Sequence, residues 1–212
     1  MNLLVSAVFG YLLGSVPFAV IVSRAFRLAD PRSFGSGNPG ATNVLRGGNK
    51  AAALLTLIGD AAKGWLAMFV AAKVMQSGIH PDGAGGTAVA VAGLAAFLGH
   101  VFPFTLRFRG GKGVATALGV LLGFSGALAG ITAGIWLIVV IFTRYSSLAA
   151  LVAAAAAPVV TWWLLADTEI VAIVAAMCAV LIYRHQSNIR KLLAGSEGRI
   201  GGPKRRPDDR VL

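Results

Sequence analysis

Runs of uncharged, apolar chain about 20 residues long recur along this sequence, and a hydrocarbon core of roughly 30 Å takes about 20 helical residues to cross. In lipid every backbone N–H and C=O must be paired within the protein, so continuous apolar runs of this length read as membrane-spanning helices. Residues 2–23, 51–75 and 87–106 each read as one span. Residues 112–142 are harder to assign, because a single straight helix of that length would measure about 46 Å, too long for one comfortable crossing and short for two. The string Gly123-Phe124-Ser125-Gly126 offers a break there, and residues 146–165 and 169–183 supply the remaining spans. The expectation is an all-α integral membrane protein of about seven transmembrane helices.

Charge decides between six spans and seven. Of the 19 Lys and Arg residues, all but Lys63 and Lys73 fall on one side if the amino terminus is outside and the long region splits. The outer loops then carry Asp82, Asp167 and Glu169, as the positive-inside rule expects. A six-span path would export the basic tail instead. The arrangement predicted is therefore an outer amino terminus and a cytoplasmic carboxyl terminus. Residues 1–200 form a single transmembrane domain, and residues 201–212 are a basic cytoplasmic tail with the composition of a disordered end. The net charge of +11 becomes a skirt facing anionic headgroups, not a nucleic-acid footprint. With 57% hydrophobic and 13% charged residues, no soluble domain is visible. The chain has one cysteine, Cys178, which excludes a disulfide framework and a Cys-based metal site. Residues 1–22 lack a basic leading region and read as a retained first span, not a cleaved signal.

Two polar, glycine-dense loops interrupt these runs. Gly35-Ser36-Gly37-Asn38-Pro39-Gly40-Ala41-Thr42-Asn43 follows the first span, with Arg46 a turn or so beyond. Closely spaced glycines let successive N–H groups turn toward one anion, and Ser, Asn and Thr side chains add neutral donors. Arg109-Gly110-Gly111-Lys112-Gly113-Val114-Ala115-Thr116 follows the third span. It lacks the spacing of a nucleotide P-loop, because Leu106 and Gly113 occupy the positions where that motif needs Gly and Ser or Thr. What survives is a glycine loop opening into a helix N-terminus, a place suited to an anion, with Lys112 adding a full charge. The plainer reading of Arg107, Arg109 and Lys112, as anchors among lipid headgroups, carries equal weight on these residues alone. Tyr145-Ser146-Ser147 and Tyr183-Arg184-His185-Gln186-Ser187-Asn188 fall on the same face as both loops.

Other polar residues have structural readings. Asp60 and Lys63, three apart within the second span, are costly in lipid unless they pair with each other. His100, near Pro103, is expected to bond backbone freed by the proline. His185 and Asn188 share a helix face if the last span continues past Tyr183.

The two loops, together with His185-Gln186-Ser187-Asn188-Ile189-Arg190 and Gly195-Ser196-Glu197, resemble in order and spacing the three signature regions of the bacterial acyl-phosphate:glycerol-3-phosphate acyltransferases. Asp60-Ala61-Ala62-Lys63-Gly64 and Gly99-His100-Val101-Phe102-Pro103 also look like strings of that family, and the resemblance runs to about Gly198. It implies a seven-helix enzyme of the bacterial inner membrane with its active site on the cytoplasmic face. It further implies transfer of an acyl group from a fatty acyl phosphate to the 1-hydroxyl of glycerol-3-phosphate, giving 1-acylglycerol-3-phosphate and inorganic phosphate in phospholipid synthesis. No cofactor or metal is implied, and the partners are the two substrates, membrane lipids and the enzyme that makes the acyl phosphate. Carried over residue by residue, Ser36, Arg46, Lys112, His185 and Asn188 match the catalytic set. Gly37, Asn38, Gly40, Thr42, Asn43, Gly110, Gly111, Gly113, Thr116, Ser147 and Glu197 match the substrate-binding positions, with the choice between Ser146 and Ser147 open. The His-x4-Asp motif of thioester-dependent acyltransferases is missing, since Gly85, Thr105 and Arg190 stand five positions after the three histidines. The alternative class is a small transporter of a phosphorylated anion, which would place polar motifs at mid-span in an inverted repeat.

Overall fold

The structure is a computed structural model that describes residues 3–76 and 85–202. Asp82 and the basic run 204–210, both used in the charge argument, lie outside the described residues. The described chain is all helical: α1 (Leu3–Gly14), α2 (Phe18–Ala25), α3 (Ala41–Arg46), α4 (Lys50–Gln76), α5 (Gly85–Val101), α6 (Val114–Phe124), α7 (Gly126–Thr143), α8 (Ser146–Leu165), α9 (Thr168–Arg184) and α10 (Gln186–Leu193), with a 3-10 turn at Phe104–Leu106. Five segments are long and apolar enough to cross a membrane, namely Leu3–Ala25, Lys50–Val74, Gly86–Leu106, Gly126–Thr143 and Ser146–Leu165. Counting α9 with α10, which meet at a 58° bend, adds a sixth.

The break expected near Gly123 is present. Ser125 takes extended backbone between α6 and α7, and its Oγ accepts the Leu128 N–H at 3.4 Å. The consequence differs from two crossings of similar length, because α6 has only 11 residues. At about 1.5 Å per residue it covers roughly half the hydrocarbon core. It lies wedged between α4 and α7 and packs on both.

The first span is also broken, which the apolar run concealed. Pro17 has no N–H to donate and disfavours helical backbone at the residue before it, so α1 stops at Gly14 and α2 restarts at Phe18. The carbonyls freed in this gap find partners from elsewhere. Thr105 Oγ1 donates to Ser15 O at 2.6 Å, and Lys63 Nζ donates to Val16 O at 2.9 Å. Lys63 also pairs with Asp60 at 2.9 Å, as the sequence predicts. His100 does not take the backbone partner expected of it. Its Nδ1 lies 3.3 Å from Asp60 Oδ1, while the Phe102 carbonyl beside Pro103 accepts from Tyr11 Oη at 2.8 Å.

Small residues set how closely the helices approach, since association in lipid relies on packing and not on exclusion of water. Gly10 and Gly14 of α1 rest on the backbone of Ala92 and Ala96 of α5, where any Cβ would collide with the carbonyls. The dry centre is formed by Met68, Phe97, Val120, Leu128, Met177 and Leu181. Polar groups of the two glycine loops, the α8 start and the α9–α10 junction gather around one cavity.

Candidate active site

The loop after α2 is held in shape by Asn43. This side chain is 1% exposed; its Oδ1 accepts the Ser36 N–H at 3.1 Å, and its Nδ2 donates to the carbonyls of Pro31 and Phe34. Gly35 sits against Asn43 Oδ1 with φ +60, a left-handed conformation that a side chain would strain. The loop therefore folds around its own asparagine and presents Ser36, Asn38 and Thr42 to the cavity, with Arg46 following from the end of α3. Thr42 Oγ1 meets Ser146 Oγ at 3.2 Å and joins this loop to the start of α8.

The second loop delivers Lys112. Its ammonium donates to Asn188 Oδ1. Asn188 Nδ2 donates to Glu197 Oε1 at 2.7 Å, and the same oxygen accepts from Ser147 Oγ at 2.6 Å. Four residues from four separate segments thus form one chain of polar contacts. Burial pushes the Lys112 ammonium down to about 8, opposed by the Glu197 carboxylate and assisted by the nearby Arg46. Such a lysine is a cation held partly out of water, which strengthens its pull on any anion that arrives.

His185 stands at the bend beyond α9, 2% exposed, with Nδ1 2.8 Å from Leu181 O. A carbonyl only accepts, so Nδ1 carries the proton and Nε2 is the bare nitrogen. Burial lowers this imidazole to about 4, even though the bond to Leu181 works the other way. It is neutral at physiological pH. The bend does not separate His185 from Asn188; both are buried and both line the cavity.

The strap after α10 closes one side. Arg144 donates from Nε and Nη2 to Ile200 O at 3.1 and 2.7 Å, and Ile200 N–H returns to Arg144 O at 2.8 Å. Arg199 donates to Tyr145 Oη at 3.1 Å. These bonds hold Glu197 over the start of α8.

The cavity has a volume of about 460 Å³ and two characters. Its mouth carries Ser36, Arg46, Lys50, Lys112, Ser147 and Glu197, and its barrel continues between Leu54, Leu57, Leu118, Leu121, Ala150 and Ala154. Leu54, 56% exposed, adjoins Leu55 and Ile58, which are exposed on the same helix and do not line the cavity, so this wall of the barrel borders the outer surface.

Of the residues singled out from sequence, Ser36, Asn38, Gly40, Thr42, Asn43, Arg46, Lys112, Gly113, Ser147, His185, Asn188 and Glu197 line this cavity. Gly37, Gly110, Gly111 and Thr116 do not. Thr116 falls on the opposite face of α6 from Ala115 and Leu118, fully buried against Gly64 of α4. Gly110 and Gly111 lie behind Lys112, against His100. Both serines of the α8 start line the cavity; Ser147 touches Glu197 and Ser146 touches Thr42. Sequence reasoning did not place Lys50, Asp60 and His100 along the cavity wall. For Lys50 the available signal was a cation just after Gly47-Gly48, at the foot of a span.

A family model described as glycerol-3-phosphate acyltransferase matches residues 4–195. The chain belongs to the glycerol-3-phosphate acyltransferase family. It is 57% identical over 204 residues to the glycerol-3-phosphate acyltransferase of Aromatoleum aromaticum, covering 96% of this chain and 100% of that one. Among solved structures it resembles PlsY (YgiH), an integral membrane glycerol 3-phosphate acyltransferase, at 35% identity over 95% of this chain and 96% of the other. The TM-score is 0.86 for the glycerol 3-phosphate form and 0.84 for the lysophosphatidic acid form. Membership in this acyltransferase family makes the chain a multi-pass membrane protein and decides against the transporter class.

Proposed function

We propose that this acyltransferase moves a fatty acyl group from acyl phosphate to the 1-hydroxyl of glycerol-3-phosphate, releasing 1-acylglycerol-3-phosphate and inorganic phosphate. The observation that carries this reading is the cavity whose cationic, donor-rich mouth runs into an apolar barrel. One reactant is a small phosphate ester and the other joins a phosphate to a long chain, so together they ask for that combination.

Arg46 and Lys112 hold the phosphates, and the Asn188, Glu197 and Ser147 contacts fix where the Lys112 ammonium points. N–H groups at the start of α6, beside Gly113, add partial positive charge at the same place. Acyl phosphate is already activated, so juxtaposition of two reactants and stabilisation of charge supply most of what is needed. The glycerol hydroxyl oxygen bonds to the acyl carbon. The bond from that carbon to the phosphate oxygen breaks, and its electron pair leaves with phosphate. The hydroxyl proton goes to a phosphate oxygen. A phosphate dianion, whose second pKa is about 6, is the stronger base beside an imidazole lowered to about 4. His185 is then a positioning group that offers Nε2 as an acceptor to a substrate hydroxyl.

The reading places the mouth on the cytoplasmic face of a bacterial inner membrane, reached by seven crossings with α6 as the short one. The gathering of the basic loops and the α9–α10 junction at one cavity mouth supports it. The deciding experiment offers the purified protein labelled glycerol-3-phosphate with either palmitoyl phosphate or palmitoyl-CoA. Lysophosphatidic acid is expected from the acyl phosphate alone; product from the thioester alone, or from neither donor, would reject the assignment.

A further inference from the structure

Behind the polar mouth lies a second buried cluster that none of the proposed chemistry uses. Asp60, Lys63 and His100 are 2%, 2% and 8% exposed, and the Asp60 carboxylate receives both Lys63 and the His100 Nδ1. Lys63 extends from there to the Val16 carbonyl in the break between α1 and α2. The far edge of the His100 ring abuts Gly111, where an added Cβ would collide with Nε2. The backbone repeats the contact, with Gly111 N–H donating to His100 O at 3.1 Å and Gly110 N–H to Val101 O at 3.2 Å. Arg184, at the end of α9, donates to Gly110 O at 2.9 Å. Gly111 immediately precedes Lys112.

An unpaired carboxylate or ammonium at this depth is expensive, and a buried charge is kept where it holds something in place. What this cluster holds is the entry to Lys112. We infer that His100, oriented by Asp60, is a positioning residue whose imidazole edge seats Gly111 and so fixes where the Lys112 ammonium is delivered. The inference rests on the reading of Lys112 as a phosphate contact. It gives the two glycines a reason other than anion binding: they are the residues small enough to lie flat against the ring and against Pro103. Lys63 extends the same support to the broken first span, so the gap at Ser15–Pro17 and the Lys112 loop share one buried anchor.

The test is a set of variants of the full chain in detergent, each assayed for kcat/KM with glycerol-3-phosphate and acyl phosphate and each melted to confirm folding. His100→Asn keeps an amide donor for Asp60 and removes the edge that touches Gly111; a loss of about tenfold to a hundredfold is expected, since displacement of about 1 Å can cost that much. His100→Gln, whose amide reaches the Nε2 position, should stay within about threefold of the parent. Gly111→Ala should lose about a hundredfold, and adding His100→Asn to it should recover at least tenfold, a coupling that independent losses cannot produce. Multiplicative losses in the double variant, or equal loss in His100→Asn and His100→Gln, would overturn the inference. Lys112→Ala separates the two levels: if it stays active, the phosphate contact itself is wrong and the support falls with it. If Lys112→Ala is inactive while His100→Asn matches the parent, the support alone is wrong.

Discussion

Lys112 is a half-buried titrating group and His185 a buried one, and desolvation acts on each in the direction that favours its neutral form. For Lys112 this places the loss of charge near pH 8. In the free enzyme kcat/KM should hold up to that point and fall above it as the ammonium deprotonates, and the limb should vanish in Lys112→Ala. That variant should lose roughly ten- to a hundredfold in kcat/KM, the worth of about 1.5 to 3 kcal/mol for a charge-assisted contact. An unchanged alkaline limb in Lys112→Ala would assign it to another group. For His185, a pKa of about 4 means that the ring gains no proton until well below neutrality. No limb near pH 6.5 should depend on it, and His185→Ala should be slower with the shape of its profile retained. Loss of a limb near 6.5 together with rescue by added imidazole would make His185 the base.

At the scale of helices, the apolar runs were legible because bilayer thickness sets their length, and the break near Gly123 was legible because two glycines flank it. The break at Pro17 was equally written in the chain but masked by apolar residues on both sides. What no local pattern could show is which helix meets which. His100 looked like a partner for nearby backbone because Asp60, 40 positions away, becomes its neighbour only when α4 and α5 pack. Thr116 looked like a ligand because it belonged to a motif, yet helical rotation points it away from the loop it follows. The glycines of α1 follow the same logic of contact. Gly14→Leu, which must displace α5 backbone, should lower the melting temperature or abolish the folded fraction, whereas Gly130→Leu, which meets open space, should leave both near parent values. Thermal unfolding in detergent checks the pair; equal behaviour would mean that α1 does not pack on α5 as described.

For the whole molecule, the proposed orientation rests on charge and can be tested with thiol probes. In a Cys178→Ala background, single cysteines at the exposed positions Ser36, Arg109 and Ser187 should all react from the cytoplasmic side and none from outside. Labelling of the Ser187 position from outside would reject seven crossings. The mouth and barrel of the cavity also meet two different solvents. Its barrel is walled in part by Leu54, which borders the exposed Leu55 and Ile58 of α4. On the proposed reaction, an acyl reactant that enters through this wall should obey two-dimensional kinetics: what the enzyme senses is its mole fraction among lipids, not its amount per litre. Adding inert phospholipid at constant donor should slow the reaction as the donor is thinned across the surface, while adding buffer at a fixed glycerol-3-phosphate concentration should leave the rate per enzyme unchanged.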